Sequence, residues 1–262
     1  RVLEDAAKVE EGRPLSGVPF LLKDISQSLK GERITSGARL FEQFQAEETS
    51  HFVRTLEEAG LLFTGFTNTP EFALKNITEP KLHVPSRNPW NNDHTPGGSS
   101  GGSTAAVASG IVPVAGASDG GGSIRIPASF TSLFGLKPTR GRTAVGPGVG
   151  RNWQGAAVDF VVSRTVRDSA ALLDATQVLQ PGAAFHVPPY ENSYLQTLKR
   201  VPTEKLKFAY SLESPVGTPV SEDAKRAVKK VLQLVESKGH YVEEVTPNID
   251  GVDLMRNYYL MN

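Results

Sequence analysis

Thr95-Pro-Gly-Gly-Ser-Ser-Gly-Gly-Ser103, followed by Ser118-Asp-Gly-Gly-Gly-Ser-Ile-Arg125, sets two glycine-wrapped serines, Ser99 and Ser123, 24 positions apart. Glycine lets the main chain take φ > 0 and come close to a ligand. Successive bare N–H groups beside a hydroxyl can then converge on one developing oxyanion. This is what an acyl-transfer site requires. A flexible linker is the poorer reading, because both loops abut apolar segments instead of lying in a uniformly polar stretch.

Working outward, Gly17-Val-Pro-Phe-Leu-Leu-Lys23 reads as a buried strand that ends at Lys23. Thr49 to Leu61 places Phe52, Val53, Leu56 and Ala59 at helical spacing, with Gly60 as a stop signal. Leu61 to Phe66 follows as a strand, and Pro70 opens a short helix. Residues 83–103 form a long functional loop, and the small residues from Thr104 to Gly110 suit a helix packed under it. Ile111-Val-Pro-Val-Ala reads as a strand that Pro113 confines to an edge or bulge. A short helix near Pro127–Leu133, a loop around Gly141–Gly155 and a helix from Arg167 to Gln177 come next. Beyond Pro181 the pattern is strand at Lys207, helix from the N-cap Ser221 to Gly239, and strand at Tyr241. Strands alternating with helices imply an α/β sheet with helices on its faces.

Bulk composition narrows the partners. The 262 residues carry 28 Lys+Arg against 28 Asp+Glu, which leaves no basic field to recruit nucleic acid or an anionic membrane. Cysteine is absent, which excludes disulfides, thiolate catalysis and Cys-ligated metal and fits a cytoplasmic protein. No apolar run reaches the length of a membrane span.

Two other readings of the glycine-serine loop compete. Gly97-x4-Gly102-Ser103-Thr104 follows a P-loop until the lysine position, which Ser103 occupies. Gly97-Gly-Ser99-Ser-Gly101 satisfies the G-x-S-x-G nucleophile elbow, which needs an acid and then a histidine downstream. His186 and His240 follow Ser99 but stand in no loop motif, whereas His51, His83 and His94 precede it. A serine also needs a group to remove its proton. Lys23 could serve: burial beside Val18-Pro-Phe-Leu-Leu22 would favour its neutral amine, although a lysine closing a strand more often snorkels to solvent.

Six motifs in order change that weighting. They are Gly17-Val-Pro-x3-Lys23-Asp24, Thr35-Ser-Gly37, Thr67-Asn-Thr-Pro-Glu71, Gly97-Gly-Ser-Ser-Gly-Gly-Ser103, Gly121-Gly-Ser-Ile-Arg125 and Gly135-Leu-Lys-Pro-Thr-x-Gly141. Together they resemble the amidase signature family over nearly the whole chain, most specifically from Pro96 to Arg142. The resemblance implies an α/β fold with a mixed β-sheet sandwiched between helices, in one domain across 1–262. It implies amide hydrolysis by a Ser–cis-Ser–Lys triad, with Ser123 as nucleophile, Ser99 as the cis-serine and Lys23 as base. Gly120, Gly121, Gly122 and Ser123 would supply oxyanion-hole N–H groups. Asp119 and Arg125 would brace that loop, Ser100 would hydrogen-bond within the cis-serine loop, and Asp24 would point away from Lys23. Phe130, Trp153 and Phe160 are candidates for an acyl pocket or for the core. The chemistry asks for no cofactor and no metal, its partner is a small-molecule amide, and self-association is left open.

Gly120 stands where many relatives carry a bulkier residue, which would loosen the hole or widen the pocket. The runs Gly120-Gly-Gly-Ser-Ile-Arg and Val161-Val-Ser-Arg-Thr-Val-Arg-Asp resemble the branch that includes 6-aminohexanoate-cyclic-dimer hydrolase. Family members are longer, so the chain is expected to be the N-terminal and central portion of a larger enzyme, with its fold incomplete at the C-terminus. Two further functions remain open at this level. One is the glutaminase subunit of a glutamyl-tRNA amidotransferase, and the other is an inactive truncation.

Overall fold

Pro19–Lys23 forms the strand β1, with Phe20, Leu22 and Lys23 all fully buried, so an apolar run delivers a lysine into the interior. The computed structural model describes residues 2–7, 9–201 and 203–261. The chain divides into two units, Arg1–Lys199 and Arg200–Asn262.

The first unit opens with the short helix α1, Val2–Ala6, before β1. Helix α2, His51–Glu58, starts where Ser50 accepts a hydrogen bond from the Val53 amide and buries Phe52, Val53 and Leu56. Strand β2 is Leu62–Thr67, helix α3 is Gly101–Ala108 and strand β3 is Val114–Asp119. Then come α4, Arg125–Phe130, the two-residue strand β4, Phe134–Gly135, and β5, Val158–Ser163. Helix α5, Val166–Thr176, is capped by the Thr165 side chain on the Asp168 amide, and α6 is Tyr194–Thr197.

These strands make one mixed sheet in the order β2-β1-β3-β5-β4. Strand β1 runs parallel to β2 and β3, whereas β5 runs antiparallel to β3 and β4. The core is the apolar layer of Phe20, Leu22, Phe52, Leu56, Val107, Ile124, Phe160, Val161 and Leu172. One close approach fixes the centre of the sheet. A Cβ on Gly116 would stand 1.8 Å from Gln27 Oε1, so only glycine leaves room for that buried amide. Gln27 uses the space to accept from the Lys23 amide (2.9 Å) and to donate to Ala117 O (3.1 Å) and Phe160 O (3.4 Å). It thereby ties together β1, β3 and β5.

The second unit contains strand β6, Lys207–Tyr210, helix α7, Glu222–Ser237, strand β7, Tyr241–Glu244, and helix α8, Gly251–Leu260. Strands β6 and β7 pair in parallel across α7, which Ser221 caps on the Ala224 amide as the sequence pattern predicts.

Several sequence expectations need correction. Pro113 lies before β3 rather than inside it, so the strand escapes the proline and takes a central place, running on through Ser118 and Asp119. Helix α3 begins at Gly101, inside the stretch read as loop, because its glycines and small side chains pack closely. The short helix after Ser123 starts at Arg125 rather than near Pro127, and the one at Pro70 is a 3-10 turn at Glu71–Ala73. Strand β5 and helix α8 lie where no element was read. In β5 every residue is buried, so it lacks the two-residue alternation that marks a half-exposed strand.

Candidate active site

The end of β1 places Lys23 against the loop that precedes α3. The peptide bond between Gly98 and Ser99 is cis. Lys23 Nζ donates to Ser99 Oγ at 2.7 Å and to Ser118 Oγ at 2.9 Å. Lys23, Ser99 and Ser100 are each 0% exposed. Burial pulls the Lys23 amine down from 10.5 to about 7, against the opposing pull of the Asp159 and Asp119 carboxylates. Asp24 faces elsewhere: its carboxylate accepts from the Thr35 amide (2.7 Å), the Thr35 hydroxyl and the Gly37 amide (3.4 Å).

Threonines hold the loop around Ser99. Thr69 Oγ1 donates to Ser99 O (3.0 Å), and Thr78 Oγ1 donates to Gly97 O (2.9 Å) while accepting from the Gly101 amide (3.2 Å). Thr67 Oγ1 and Ser103 Oγ lie 2.6 Å apart, and Ser103 donates to Gly116 O at 2.6 Å. The Thr67-Asn-Thr motif thus acts as a clamp on the serine loop. Ser100 does not bond within its own loop as the resemblance implies. It donates to Ser118 O (3.4 Å) and accepts from the Ser118 amide (3.3 Å), tying the loop to β3.

Beyond β3, Asp119 organises the second glycine cluster. Its carboxylate accepts from the amides of Gly122 (2.8 Å), Ile124 (3.2 Å) and Arg125 (3.4 Å). The Arg125 guanidinium closes a two-pronged pair with it at 2.9 Å on each prong. Burial pushes the Asp119 carboxyl up, but Arg125 and those amides outweigh it and hold it below 3.8. One of the four implied oxyanion donors is therefore already committed: the Gly122 amide serves Asp119. Among the described residues the amides of Gly120, Gly121 and Ser123 make no hydrogen bond, and neither does Ser123 Oγ. Ser123 sits half-buried two residues before α4, and its hydroxyl is not hydrogen-bonded to Ser99 in this structure.

The aromatic candidates separate. Phe160 is fully buried in the core of the sheet, while Phe130 is half exposed. Trp153 packs its ring where a Gly120 side chain would be, 2.4 Å from a Cβ built there. The space freed at position 120 is filled by Trp153, so it is not an open widening of the pocket. The elbow reading of Ser99 is not favoured, because the group that meets its hydroxyl is the Lys23 amine at 2.7 Å and, among the described residues, no histidine hydrogen-bonds to it.

Sequence reasoning passed over Ser118, Thr69, Thr78, Gln27 and Asp159. Ser118 and Thr69 lie inside quoted motifs, and the Ser118-Asp pair before the glycines was an available signal. Asp159 lies in the strand that was not read.

The family described as Amidase matches residues 1–261. The chain is 43% identical over 256 residues to a lipoamidase of Enterococcus faecalis, covering 98% of this chain and 33% of that protein. It is 38% identical to a 6-aminohexanoate-cyclic-dimer hydrolase of Paenarthrobacter ureafaciens, covering 91% of this chain and 49% of that one. A solved structure of a 6-aminohexanoate cyclic dimer hydrolase complexed with substrate superposes with a TM-score of 0.88 at 35% identity, over 94% of this chain and 52% of that one. The chain thus spans between a third and about half of the length of these relatives.

Proposed function

The chain belongs to the amidase signature family, and from that premise we propose that it carries the catalytic centre of a hydrolase that cleaves carboxylic amides, linear or cyclic, through Lys23, Ser99 and Ser123. One observation supports this reading above the others. A buried lysine with its amine near neutrality donates to a serine that follows a cis peptide bond.

In the proposed cycle Ser123 Oγ attacks the amide carbonyl carbon. Its proton passes to Ser99 Oγ as the Ser99 proton passes to Lys23 Nζ, so one proton is transferred and Lys23 becomes an ammonium. The oxyanion faces the uncommitted amides of Gly120, Gly121 and Ser123, each donor worth about 2.7–4 kcal/mol in such sites. Collapse breaks the C–N bond, and Lys23 returns its proton through Ser99 to the departing amine. Water then attacks the acyl-Ser123 ester by the same relay and releases the acid. The Ser99–Ser123 contact forms on substrate binding, since catalytic hydrogen bonds commonly tighten only in the loaded site.

A fluorophosphonate that labels activated serines, followed by peptide mapping, tests the assignment. Label on Ser123 supports the triad. Label on Ser99 returns the elbow reading, and no label on folded protein indicates an inactive relative.

A further inference from the structure

Four buried charged side chains stand near this centre: Lys23, Asp24, Asp119 and Asp159. Asp24 is satisfied by the Thr35–Gly37 turn and Asp119 by Arg125 with three amides. Among the described residues, the hydrogen bonds to Asp159, 3% exposed, come from neutral groups: it accepts from Ser26 Oγ (2.5 Å) and Asn152 Nδ2 (3.2 Å). An ionised carboxylate withdrawn from water needs a cation. Asp159 on β5 lies directly opposite Ser118 on β3, and cross-strand partners point to one face with Cβ atoms about 4.5–5.5 Å apart. Ser118 is the hydroxyl that Lys23 Nζ reaches at 2.9 Å. Ser26 follows β1 with φ +62°, a left-handed backbone rarely taken by serine, and that turn sets its hydroxyl on the carboxylate.

Resting on the amidase reading above, we propose that Asp159 is a positioning residue for the Lys23 base. Its carboxylate, held by Ser26 and Asn152 on β5 opposite Ser118 of β3, is the counter-charge that receives the Lys23 ammonium during turnover. It touches neither substrate nor nucleophile. Burial raises the Asp159 carboxyl to about 6, with the Ser26 hydroxyl and the Lys23 charge opposing that rise. A negative charge there favours the protonated amine, so Asp159 keeps a desolvated lysine basic enough to accept a proton. The other ionisable groups around the pair are Asp119 at the end of β3, paired with Arg125 of α4, and Asp24 after β1. Glu47 and Glu48 share with Asp159 the lining of a cavity of about 340 Å³.

The test follows the rate of phosphonate labelling at Ser123 from pH 5 to 9 in the full chain, in Asp159→Asn and in Asp159→Glu. Removing the charge lowers the lysine pKa, so the acid limb of Asp159→Asn moves down by about one unit from about 7. At pH 6 that variant keeps about a fivefold larger share of its own plateau rate than the wild type, while the plateau itself falls several-fold. Asp159→Glu restores the wild-type limb. A merely structural residue lowers the plateau and leaves the limb in place, and an unmoved limb in folded Asp159→Asn overturns the proposal. If Asp159→Asn does not fold, Ser26→Ala replaces it, with a smaller limb shift of the same sign expected and no shift contradicting the role. Wild-type protein that is never labelled at Ser123 overturns the amidase reading itself, an outcome distinct from an unmoved limb.

Discussion

The chemistry turns on one amine. A lysine at the end of an apolar strand loses its hydration, and the cost falls on its charged form. Lys23 is accordingly a base above about pH 7, and labelling of Ser123 rises as pH passes upward through that value. Replacing Lys23 with alanine removes the proton acceptor, and labelling at pH 8 drops by about 10²–10⁴-fold. Ser99→Ala breaks the relay between Lys23 and Ser123 and brings a drop of the same order, with no recovery at higher pH. Retention of wild-type labelling by either variant, in folded protein, contradicts the relay. The three catalytic candidates were legible because each stands in a motif. Asp159 was not, since a single aspartate in an apolar run carries no local signal.

Among the elements, legibility follows periodicity. Helices α2 and α5 were readable from the spacing of the apolar residues they bury, and α7 from its apolar spacing and its Ser221 cap. Strand β5 was hidden by its complete burial, and β3 was misplaced because its sequence Val-Ala-Gly-Ala-Ser-Asp lacks strand-forming bulk. That composition is imposed by the neighbours: Gly116 gives way to Gln27, and Ser118 and Asp119 serve the site. Gly116→Ala therefore costs about 2–4 kcal/mol, from overpacking and the displaced Gln27 hydrogen bonds. The expected result is a lower urea midpoint with an unchanged slope. A midpoint equal to wild type would mean that Gln27 does not join β1, β3 and β5.

For the whole molecule, the buried amine and the buried carboxylate make stability depend on pH with opposite signs. Lys23 has its pKa lowered in the fold from 10.5 to about 7, so the unfolded chain binds more protons between those values and stability rises with pH there. Asp159 is raised from 3.8 to about 6, so the folded chain binds more protons in that window and stability falls as pH rises through it. Lys23→Met removes the first contribution: its advantage in thermal midpoint over the wild type is largest at pH 6 and shrinks toward pH 9. A gap that is constant across that range contradicts burial of the charge. Titration of the Lys23 side chain by NMR in the full chain, following its ε-carbon against pH, reads that amine itself. A midpoint near 7 is expected for a buried base, and a midpoint near the 10.5 of a solvated lysine would rule that base out.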